Sequence, residues 1–442
     1  MKVIIIGGGE AGFHVAASLS RKNDVIVIEK DPEACERVGE LDVQVIQGNG
    51  ADVKLMQQVG VKKADLVVAL TGVDEVNIVA CMGAKLLSRR VKTIARVSNP
   101  DYINEPVDHR KELGMDVMVC PELSLAREIA QVVSIPAALD VENFVDGKVK
   151  MVEFEVKEGH DIAGKKLKDA GLPAYCIVAG IFRGDRLLIS YGDDVIQPGD
   201  RVVLVGELDA LDLIQARFGE LAGRKRKILI VGGGQVGLYL LEELTKADHE
   251  ITLIEIDQER CMELAERYPD VLVINGDGAN LKLLKEENLS EKDVVVAVTD
   301  RDEKNLLCAL LAKQLGTRKA ISRTDHADYT TLFEMVGVDV AINPILATVN
   351  EVMKFTMSIG VESLVNIEGT RASAIELIAK EGSEIVGKQL KDARFPRGAL
   401  VSVIVRGEKV IVPSGMDVIE AGDRVVIFSY PDTVEKVEKL FE

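Results

Sequence analysis

The sequence contains no tryptophan, only 4% aromatic residues and five histidines among its 442 residues. Proteins that bind single-stranded nucleic acid stack bases on aromatic side chains, so this scarcity argues against such a surface. No apolar run approaches the ~18 residues of a membrane-spanning helix, which argues against insertion into a bilayer. The six cysteines show neither a C-x-x-C pair nor metal-ligand spacing, so we expect core thiols and no metal site.

The chain also lacks an excess of positive charge. Acidic residues outnumber basic ones by 72 to 54, which gives a net charge of −18. This balance disfavours non-specific binding to nucleic acid or to an anionic membrane. The first residues are predicted to form a strand rather than a signal peptide. We therefore expect a soluble, cytoplasmic protein, with two to four domains because the chain exceeds one ordinary domain.

One stretch occurs twice: a short apolar strand, a glycine loop and the start of a helix. Each copy contains G-x-G-x-x-G directly after at least four strand-type residues, the pattern of a dinucleotide-binding turn. The first glycine permits the tight turn, the second leaves room for a pyrophosphate, and the third lets the helix pack closely on the strand. The amides and the dipole at the helix N-terminus suit an anion. In order, the glycines are Gly7, Gly9 and Gly12 in the first copy and Gly232, Gly234 and Gly237 in the second.

An acidic residue follows the second apolar strand of each copy. Glu29 and Glu255 lie 17 (29 − 12) and 18 (255 − 237) positions past the last glycine of their motifs. A carboxylate at this position binds both hydroxyls of an adenosine ribose and repels a 2′-phosphate. The alternative is a βα turn without a ligand, in which the acid merely ends a strand. The combined pattern favours a nucleotide in each copy.

The duplication extends far beyond the glycines, since residues 1–220 match 226–442 almost end to end. Apolar strands alternate with helix-length segments. In the first copy the strands lie near residues 2–6, 25–29, 43–46, 65–70, 92–96 and 116–119. Strands that are apolar throughout are typical of a parallel sheet buried on both faces. Alternating or short strands and turn signals then predict a small domain.

The predicted fold class is therefore α/β, with two tandem repeats. Each repeat is a doubly wound parallel-sheet (Rossmann) domain followed by a small α+β domain. We place the Rossmann domains at residues 1–135 and 226–359 and the small domains at 136–221 and 360–442. The segments Glu122–Ser134 and Ile345–Ile359 read as amphipathic helices. Each could pack on its own sheet, but we favour a helix that crosses to a neighbouring subunit or repeat.

Polar residues recur where the carboxyl ends of the strands are expected, which is where doubly wound sheets bind ligands. After strand three come Asn49-Gly50 and Asp277-Gly278, placed to meet an adenine edge, and after strand four come Thr71-Gly72 and Thr299-Asp300. Strand five ends in Arg96 and Arg323, whose guanidinium groups can hold phosphate bidentately. The alternative for both arginines is a surface ion pair with the neighbouring domain.

No acid–base residue recurs between the two copies. In the register of the repeat His14 faces Tyr239 and His326 faces Asn99, and none of the five histidines meets another histidine. A dehydrogenase holds a catalytic acid or base against the nicotinamide, and no candidate is present in both halves. We therefore predict no enzyme and no catalytic residue. The alternatives are an NAD-dependent oxidoreductase with duplicated Rossmann domains and a dinucleotide sensor that controls transcription, which the acidic charge disfavours.

Five recurring features together resemble a known family. They are the glycine loop, the acid after strand two, the G-[ND]-G after strand three, the Asp-Glu-x-Asn after strand four and the arginine of strand five. The family is that of RCK (or KTN) domains, which regulate potassium conductance, and two such pairs in one chain resemble the regulatory subunits of Trk potassium-uptake systems. The resemblance covers nearly the whole chain. It implies a cytoplasmic protein that binds a membrane-embedded Trk-type transporter subunit and assembles into a homotetrameric ring.

The resemblance also implies that NAD(H), ATP or ADP occupies the sheet crevices and alters the shape of the ring. Binding residues are carried across by matching position. In the first copy they are Gly7, Gly8, Gly9, Glu10, Ala11, Gly12, Glu29, Asn49, Gly50, Ala51, Thr71, Gly72 and Arg96. In the second copy they are Gly232, Gly233, Gly234, Gln235, Val236, Gly237, Glu255, Asp277, Gly278, Ala279, Thr299 and Arg323. Because Asn49 faces Asp277 and Gly72 faces Asp300, the two sites could prefer different nucleotides.

Overall fold

The computed structural model describes residues 1–103, 111–135, 137–173, 175–184, 186–207, 210, 225–354, 361–367 and 371–442. The described residues form two parallel sheets and two antiparallel sheets, in the order parallel, antiparallel, parallel, antiparallel along the chain. The predicted tandem α/β fold is confirmed. The limits between the domains remain predictions.

The first parallel sheet has the strand order β3-β2-β1-β4-β5-β6. Strands β2 and β3 are added on one side of β1 and strands β4 to β6 on the other, so the strand order reverses between β1 and β4. Its central strands are buried on both faces, as their continuous apolar sequence predicts. The strands are β1 (Lys2–Ile6), β2 (Asp24–Glu29), β3 (Gln44–Gln47), β4 (Leu66–Ala69), β5 (Lys92–Arg96) and β6 (Val117–Val119). The helices are α1 (Glu10–Ser20), α2 (Pro32–Val38), α3 (Val53–Gln58), α4 (Asp74–Leu87), α5 (Pro100–Ile103) and α6 (Pro121–Ser134), with a 3₁₀ turn at Val61–Lys63.

The second parallel sheet repeats this order as β14-β13-β12-β15-β16-β17. Its strands are β12 (Lys227–Val231), β13 (Glu250–Glu255), β14 (Leu272–Asn275), β15 (Val294–Ala297), β16 (Lys319–Arg323) and β17 (Val340–Ile342). Its helices are α7 (Gln235–Leu244), α8 (Gln258–Arg267), α9 (Leu281–Glu286), α10 (Asp302–Gln314), α11 (Tyr329–Met335) and α12 (Pro344–Lys354), with a 3₁₀ turn at Leu289–Glu291.

The two antiparallel sheets have the orders β10-β9-β11-β8-β7 and β18-β19-β22-β20-β21 and share one apolar core. Phe144 and Phe182 from the first pack there with Phe428 from the second. The strands are β7 (Ala138–Phe144), β8 (Val149–Glu155), β9 (Cys176–Arg183), β10 (Arg186–Ile189), β11 (Arg201–Glu207), β18 (Val361–Ile367), β19 (Ala372–Ile378), β20 (Ala399–Arg406), β21 (Lys409–Ile411) and β22 (Arg424–Ser429). Helix α13 (Val434–Phe441) follows, and 3₁₀ turns lie at Val145–Gly147, Leu167–Asp169 and Pro431–Thr433.

Helices α6 and α12 pack on the opposite repeat. The buried face of α6, which includes Leu125 and Ile129, shares a core with Leu240 of α7. In the reciprocal contact, Val352 of α12 packs with Val15 of α1. The prediction that these helices cross to a neighbouring repeat is confirmed for the residues that the structure describes, and residues 355–359 of the second predicted helix lie outside them. Within the described ranges, no helix is both long enough and apolar enough to cross a bilayer.

Candidate nucleotide-binding crevices

The two glycine loops adopt the tight turn that their sequences predict. Gly7 and Gly232 have φ of +102° and +111°, a conformation that L side chains rarely adopt. An added Cβ at Gly12 would lie 1.9 Å from the Gly7 carbonyl oxygen, and the equivalent distance at Gly237 is 2.1 Å. Turn geometry and close helix–strand packing therefore require these four glycines, whether or not a ligand binds.

Gly9 and Gly234 are different, because neither turn geometry nor packing requires a glycine there. An added Cβ at either residue would meet nothing within 4 Å, and the φ values of −61° and −64° suit any residue. The space in front of both loops is open, as a closely approaching pyrophosphate would need. Open space is what the motif predicts at its second glycine, and the contact with a pyrophosphate stays a prediction.

The helices after both loops begin without a capping side chain. Gly9 and Gly234 are the N-cap residues of α1 and α7 and provide no side-chain acceptor for the first amides. By contrast, Asp31 caps α2 and Asp257 caps α8 through hydrogen bonds to backbone amides. The first amides of α1 and α7, from Glu10 and Gln235 onward, thus suit an anion placed over the loop.

The acid after the second strand is held against the glycine loop. The Glu29 carboxylate accepts hydrogen bonds from the amides of Gly8 at 2.5 Å, Lys30 at 2.6 Å and Asp31 at 2.8 Å. Glu255 accepts from Gly233 at 2.5 Å and from Asp257 at 2.9 Å. These hydrogen bonds fix the orientation of each carboxylate. Because a carboxylate has about four lone-pair sites, each acid can still accept a hydrogen bond from a ribose hydroxyl.

The G-[ND]-G segments form matching turns after the third strands. Asn49 Oδ1 accepts from the amide of Ala51 at 3.0 Å, and Asp277 Oδ1 accepts from that of Ala279 at 2.9 Å. Gly50 is explained by packing, since an added Cβ would lie 2.1 Å from Ile6 Cγ2; the same distance separates Gly278 from Val231 Cγ1. These glycines bring the turn against the end of the first strand.

The second crevice carries an ion pair that the first lacks. Lys304 Nζ lies 2.9 Å from Asp277 Oδ1, whereas neutral Val76 and Asn49 occupy the equivalent positions in the first repeat. The hydrogen bond from the Ala279 amide and the nearby Lys304 lower the pKa of the Asp277 carboxyl. The two crevices therefore present different charge patterns to the predicted adenine edge.

Thr71 and Thr299 are engaged by a buried asparagine that we did not predict as a site residue. The Asn77 side chain accepts from the amide and hydroxyl of Thr71 and donates to the carbonyl oxygens of Thr71 and Arg96, at 2.7–3.0 Å. Asn305 makes the same four contacts in the second repeat, at 2.6–3.2 Å. The recurrence of the Asp-Glu-x-Asn motif in both repeats was the sequence feature that could have identified these asparagines.

The first residue of that motif also acts on the backbone. Asp74 accepts from the amides of Ser98 and Asn99, and Asp302 accepts from the amide of Asp325. The motif thus ties the ends of the fourth and fifth strands together at the crevice. Its polar groups are occupied by backbone hydrogen bonds, which suits positioning rather than acid–base chemistry.

The two arginines have acidic partners inside the protein. Arg96 Nη2 lies 3.4 Å from Glu122 Oε1 at the start of α6. Arg323 forms a two-pronged contact with Asp325, at 2.8 Å and 3.1 Å. Both arginines thus pair within their own Rossmann domain, and not with a neighbouring domain as the alternative to phosphate contact supposed. Of these two partners, Glu122 lies on a crossing helix and Asp325 does not. Glu122 could not be foreseen because Ile345 occupies its position in the second repeat.

A cleft of about 500 Å³ opens beside Arg96 at the ends of β4 and β5. An added Cβ at Gly72, in its wall, would meet nothing within 4 Å, whereas Asp300 stands at this position in the second repeat. Gln235 of the second glycine loop reaches the cleft and donates from Nε2 to the carbonyl oxygen of Ser98. In the part of the chain that the structure describes, no group of three His, Cys, Asp or Glu side chains could hold a metal ion.

Comparisons with known proteins agree with this architecture. The family described as TrkA-N domain matches residues 3–121 and 228–344, and the TrkA-C domain matches residues 151–219 and 374–442. The Trk system potassium uptake protein TrkA homolog 1 of Methanosarcina mazei is 50% identical over the whole of both chains. The TrkA homolog of Archaeoglobus fulgidus is 41% identical over the whole of both chains, and the TrkA of Halomonas elongata is 31% identical over all of this chain and 99% of its own.

Two solved structures share the fold at lower identity. The GsuK RCK domain superimposes with a TM-score of 0.63 at 17% identity, covering 100% of this chain and 94% of that one. The GsuK channel bound to NAD gives a TM-score of 0.62 at 16% identity, covering 100% of this chain and 78% of that one.

Proposed function

The chain belongs to the TrkA family of potassium uptake proteins, and from this premise we propose that it is the nucleotide-sensing regulatory subunit of a Trk-type system. In this role it binds NAD(H), ATP or ADP in its two crevices and changes shape with occupancy. It acts at the cytoplasmic face of the membrane, held there by a membrane-embedded transporter subunit rather than by insertion.

The observation that carries the proposal is the open, uncapped glycine loop, present twice. Open space in front of Gly9 and Gly234, helix-start amides without a side-chain cap and an oriented carboxylate together suit a ribose and a pyrophosphate. The GsuK channel, which shares the fold, has been solved with NAD. ATP and ADP carry the same adenosine and phosphate groups as NAD, so we include them among the expected ligands.

The nucleotide acts as a signal and not as a reactant in this proposal. No histidine recurs between the repeats, and Thr71, Asn77 and Asp74 are committed to hydrogen bonds that hold the crevice together. An oxidoreductase would need an acid or base placed at the nicotinamide. Absorbance at 340 nm with NADH and candidate substrates tests this point, and turnover would favour an enzyme.

We propose further that copies of the chain assemble into a homotetrameric ring. Both repeats expose large apolar side chains on helices that flank the fifth strand, and α10 packs on α11 in the second repeat. A second copy of the chain is the proposed occupant, because a face repeated along the chain allows heterologous contacts that close into a ring. The exposed residues are Val79, Met82 and Leu86 on α4, Leu307 on α10, and Leu332 and Met335 on α11.

A ring lowers the demand on each site. Moving a gate from 1:99 to 99:1 requires about 5.5 kcal/mol of differential binding. Shared among roughly eight sites of a tetramer, this is about 0.7 kcal/mol each, or a threefold preference for one state. A single charge-assisted hydrogen bond to phosphate contributes about 1.5–3 kcal/mol, so one contact per site is sufficient.

Co-purification tests the proposed partner. The chain, expressed with a tag in its native cells, should retain a potassium-transporting membrane protein after detergent extraction. Membrane extract applied to a variant with Leu86→Lys and Met335→Lys would show whether the ring is needed for this contact. Recovery of the full-length wild-type chain without any such membrane protein would contradict the proposed role.

A further inference from the structure

The ion pair between Arg96 and Glu122 joins the first crevice to the interface between the repeats. Glu122 lies in the first turn of α6, and the buried face of that helix packs on α7 of the second repeat. Arg127 of α6 also contacts Glu243 of α7 at 3.4 Å. A change in the partner of Arg96 therefore acts directly on the helix that crosses between the repeats.

A second contact connects the same crevice to α7. Gln235, the first residue of α7, donates from its side chain to the carbonyl oxygen of Ser98, two residues after Arg96. Gln235 also belongs to the second glycine loop. Both the Ser98 loop and the start of α6 are thus attached to one helix of the second repeat.

The second crevice lacks this arrangement. Arg323 pairs with Asp325, two residues further along its own loop, and Ile345 replaces Glu122 at the start of α12. Glu10, at the position of Gln235, pairs with Arg37 of its own repeat. Among the described residues, no ion pair connects Arg323 to α12, so the two crevices differ in how they are attached to the crossing helices.

We propose that the Arg96–Glu122 ion pair is a latch that a phosphate group displaces. It rests on the proposed function: the terminal phosphate of a nucleoside di- or triphosphate in the first crevice binds Arg96 in place of Glu122. This frees the start of α6 to move against α7. Occupancy of the second crevice exchanges only a local pair and leaves α12 in place, so the first crevice transmits the signal.

The geometry makes displacement feasible. The 3.4 Å separation is longer than the 2.7–2.9 Å of a charge-assisted hydrogen bond, and the Arg96 and Glu122 side chains are 29% and 16% exposed. A released Glu122 still lies in the first turn of α6, where the helix dipole favours a carboxylate. Arg323 and Asp325 instead form a two-pronged contact at shorter distances, so that pair is the harder one to break.

The test uses the full chain with Gly234→Asp, which leaves the first crevice as the ligand site. Exposed ion pairs contribute roughly 0.2–1 kcal/mol, and the Arg96–Glu122 pair is partly buried, so Glu122→Gln should strengthen ATP binding by at least about 1.5- to 5-fold. AMP lacks the terminal phosphates, so its affinity should not change. ATP should speed hydrogen exchange in residues 121–134 of the parent protein but add nothing in Glu122→Gln. Arg96→Gln should weaken ATP binding and also abolish the exchange response.

The second repeat supplies the matched control. In a Gly9→Asp background, Asp325→Asn should strengthen ATP binding, while ATP leaves exchange in residues 344–354 unchanged. A Glu122→Gln protein that is folded by circular dichroism, with parental ATP affinity and exchange response, overturns the latch alone. Absence of ATP binding by the wild-type chain overturns the proposed function and the latch together.

Discussion

Replacing Gly9 by aspartate separates ligand exclusion from loss of fold. The added Cβ meets nothing within 4 Å, and the backbone at φ −61° accepts an L residue. Aspartate is also a favourable N-cap residue, and Gly9 is the N-cap of α1. The substitution therefore places a negative charge over the first crevice without a steric cost to the protein.

The substitution should have a small effect on the free energy of unfolding and a large effect on nucleotide binding. Aspartate and glycine differ by only a few tenths of a kcal/mol at an N-cap, so the free energy of unfolding should change by less than about 0.5 kcal/mol. Two like charges about 4 Å apart repel by about 4 kcal/mol at an effective dielectric constant of 20. Allowing for solvent, a loss of about 2–4 kcal/mol raises the nucleotide Kd roughly 30- to 800-fold.

Isothermal titration calorimetry with ATP and NADH measures this effect, and chemical denaturation measures stability. Gly9→Asp should reduce the number of tight sites per chain from two to one, and Gly234→Asp should do the same from the other repeat. Gly12→Ala is the contrasting variant, because its Cβ would lie 1.9 Å from the Gly7 carbonyl oxygen. It should destabilise the protein by about 1–3 kcal/mol. A folded Gly9→Asp protein that binds two nucleotides with wild-type affinity would refute the reasoning.

Three further predictions follow from contacts outside the loops. Asn77→Ala should lower the free energy of unfolding by about 2–4 kcal/mol, since it removes a fully buried side chain and leaves partly buried backbone groups of Thr71 and Arg96 unpaired; denaturation curves check this, with wild-type stability as the contrary result. Leu86→Lys with Met335→Lys should reduce the mass measured by light scattering below that of a tetramer, whereas Leu272→Lys, at an apolar residue that is also exposed (57%) but lies on β14, should not; an unchanged mass argues against this interface. Lys304→Met should raise the pKa of Asp277 toward its ordinary value, as measured by NMR titration. A carboxyl with a lowered pKa stabilises the fold above its unfolded pKa and loses that contribution as the pH falls through its folded pKa, so the variant should lose stability at pH 7 and the difference from wild type should shrink as the carboxyl is protonated; an equal loss at every pH is the contrary result.

Apolar continuity and glycine spacing predicted most of the fold. Strands that are apolar throughout can only be buried on both faces, and the structure places all six strands of the first sheet close to their predicted positions. The roles of Gly7 and Gly12 followed from local stereochemistry, and the position of Glu29 beside the loop followed from the spacing of the motif. Local rules were sufficient for these features.

Contacts that depend on packing between repeats could not be predicted. The partner of Arg96 is set by how α6 lies across α7, and the contact of Gln235 with Ser98 depends on the same packing. The close approach of Gly50 to the Ile6 side chain also depends on packing, which no local pattern reveals. The assignment of the binding residues in both crevices remains a prediction.

Potassium uptake tests the central claim most directly. Vesicles containing the membrane transporter subunit would be assayed with the wild-type chain and with the Gly9→Asp, Gly234→Asp double variant, each in the presence and absence of ATP or NADH. The account predicts that nucleotide changes the uptake rate with the wild-type chain and has no effect with the double variant. An equal nucleotide-dependent change with both proteins would contradict it.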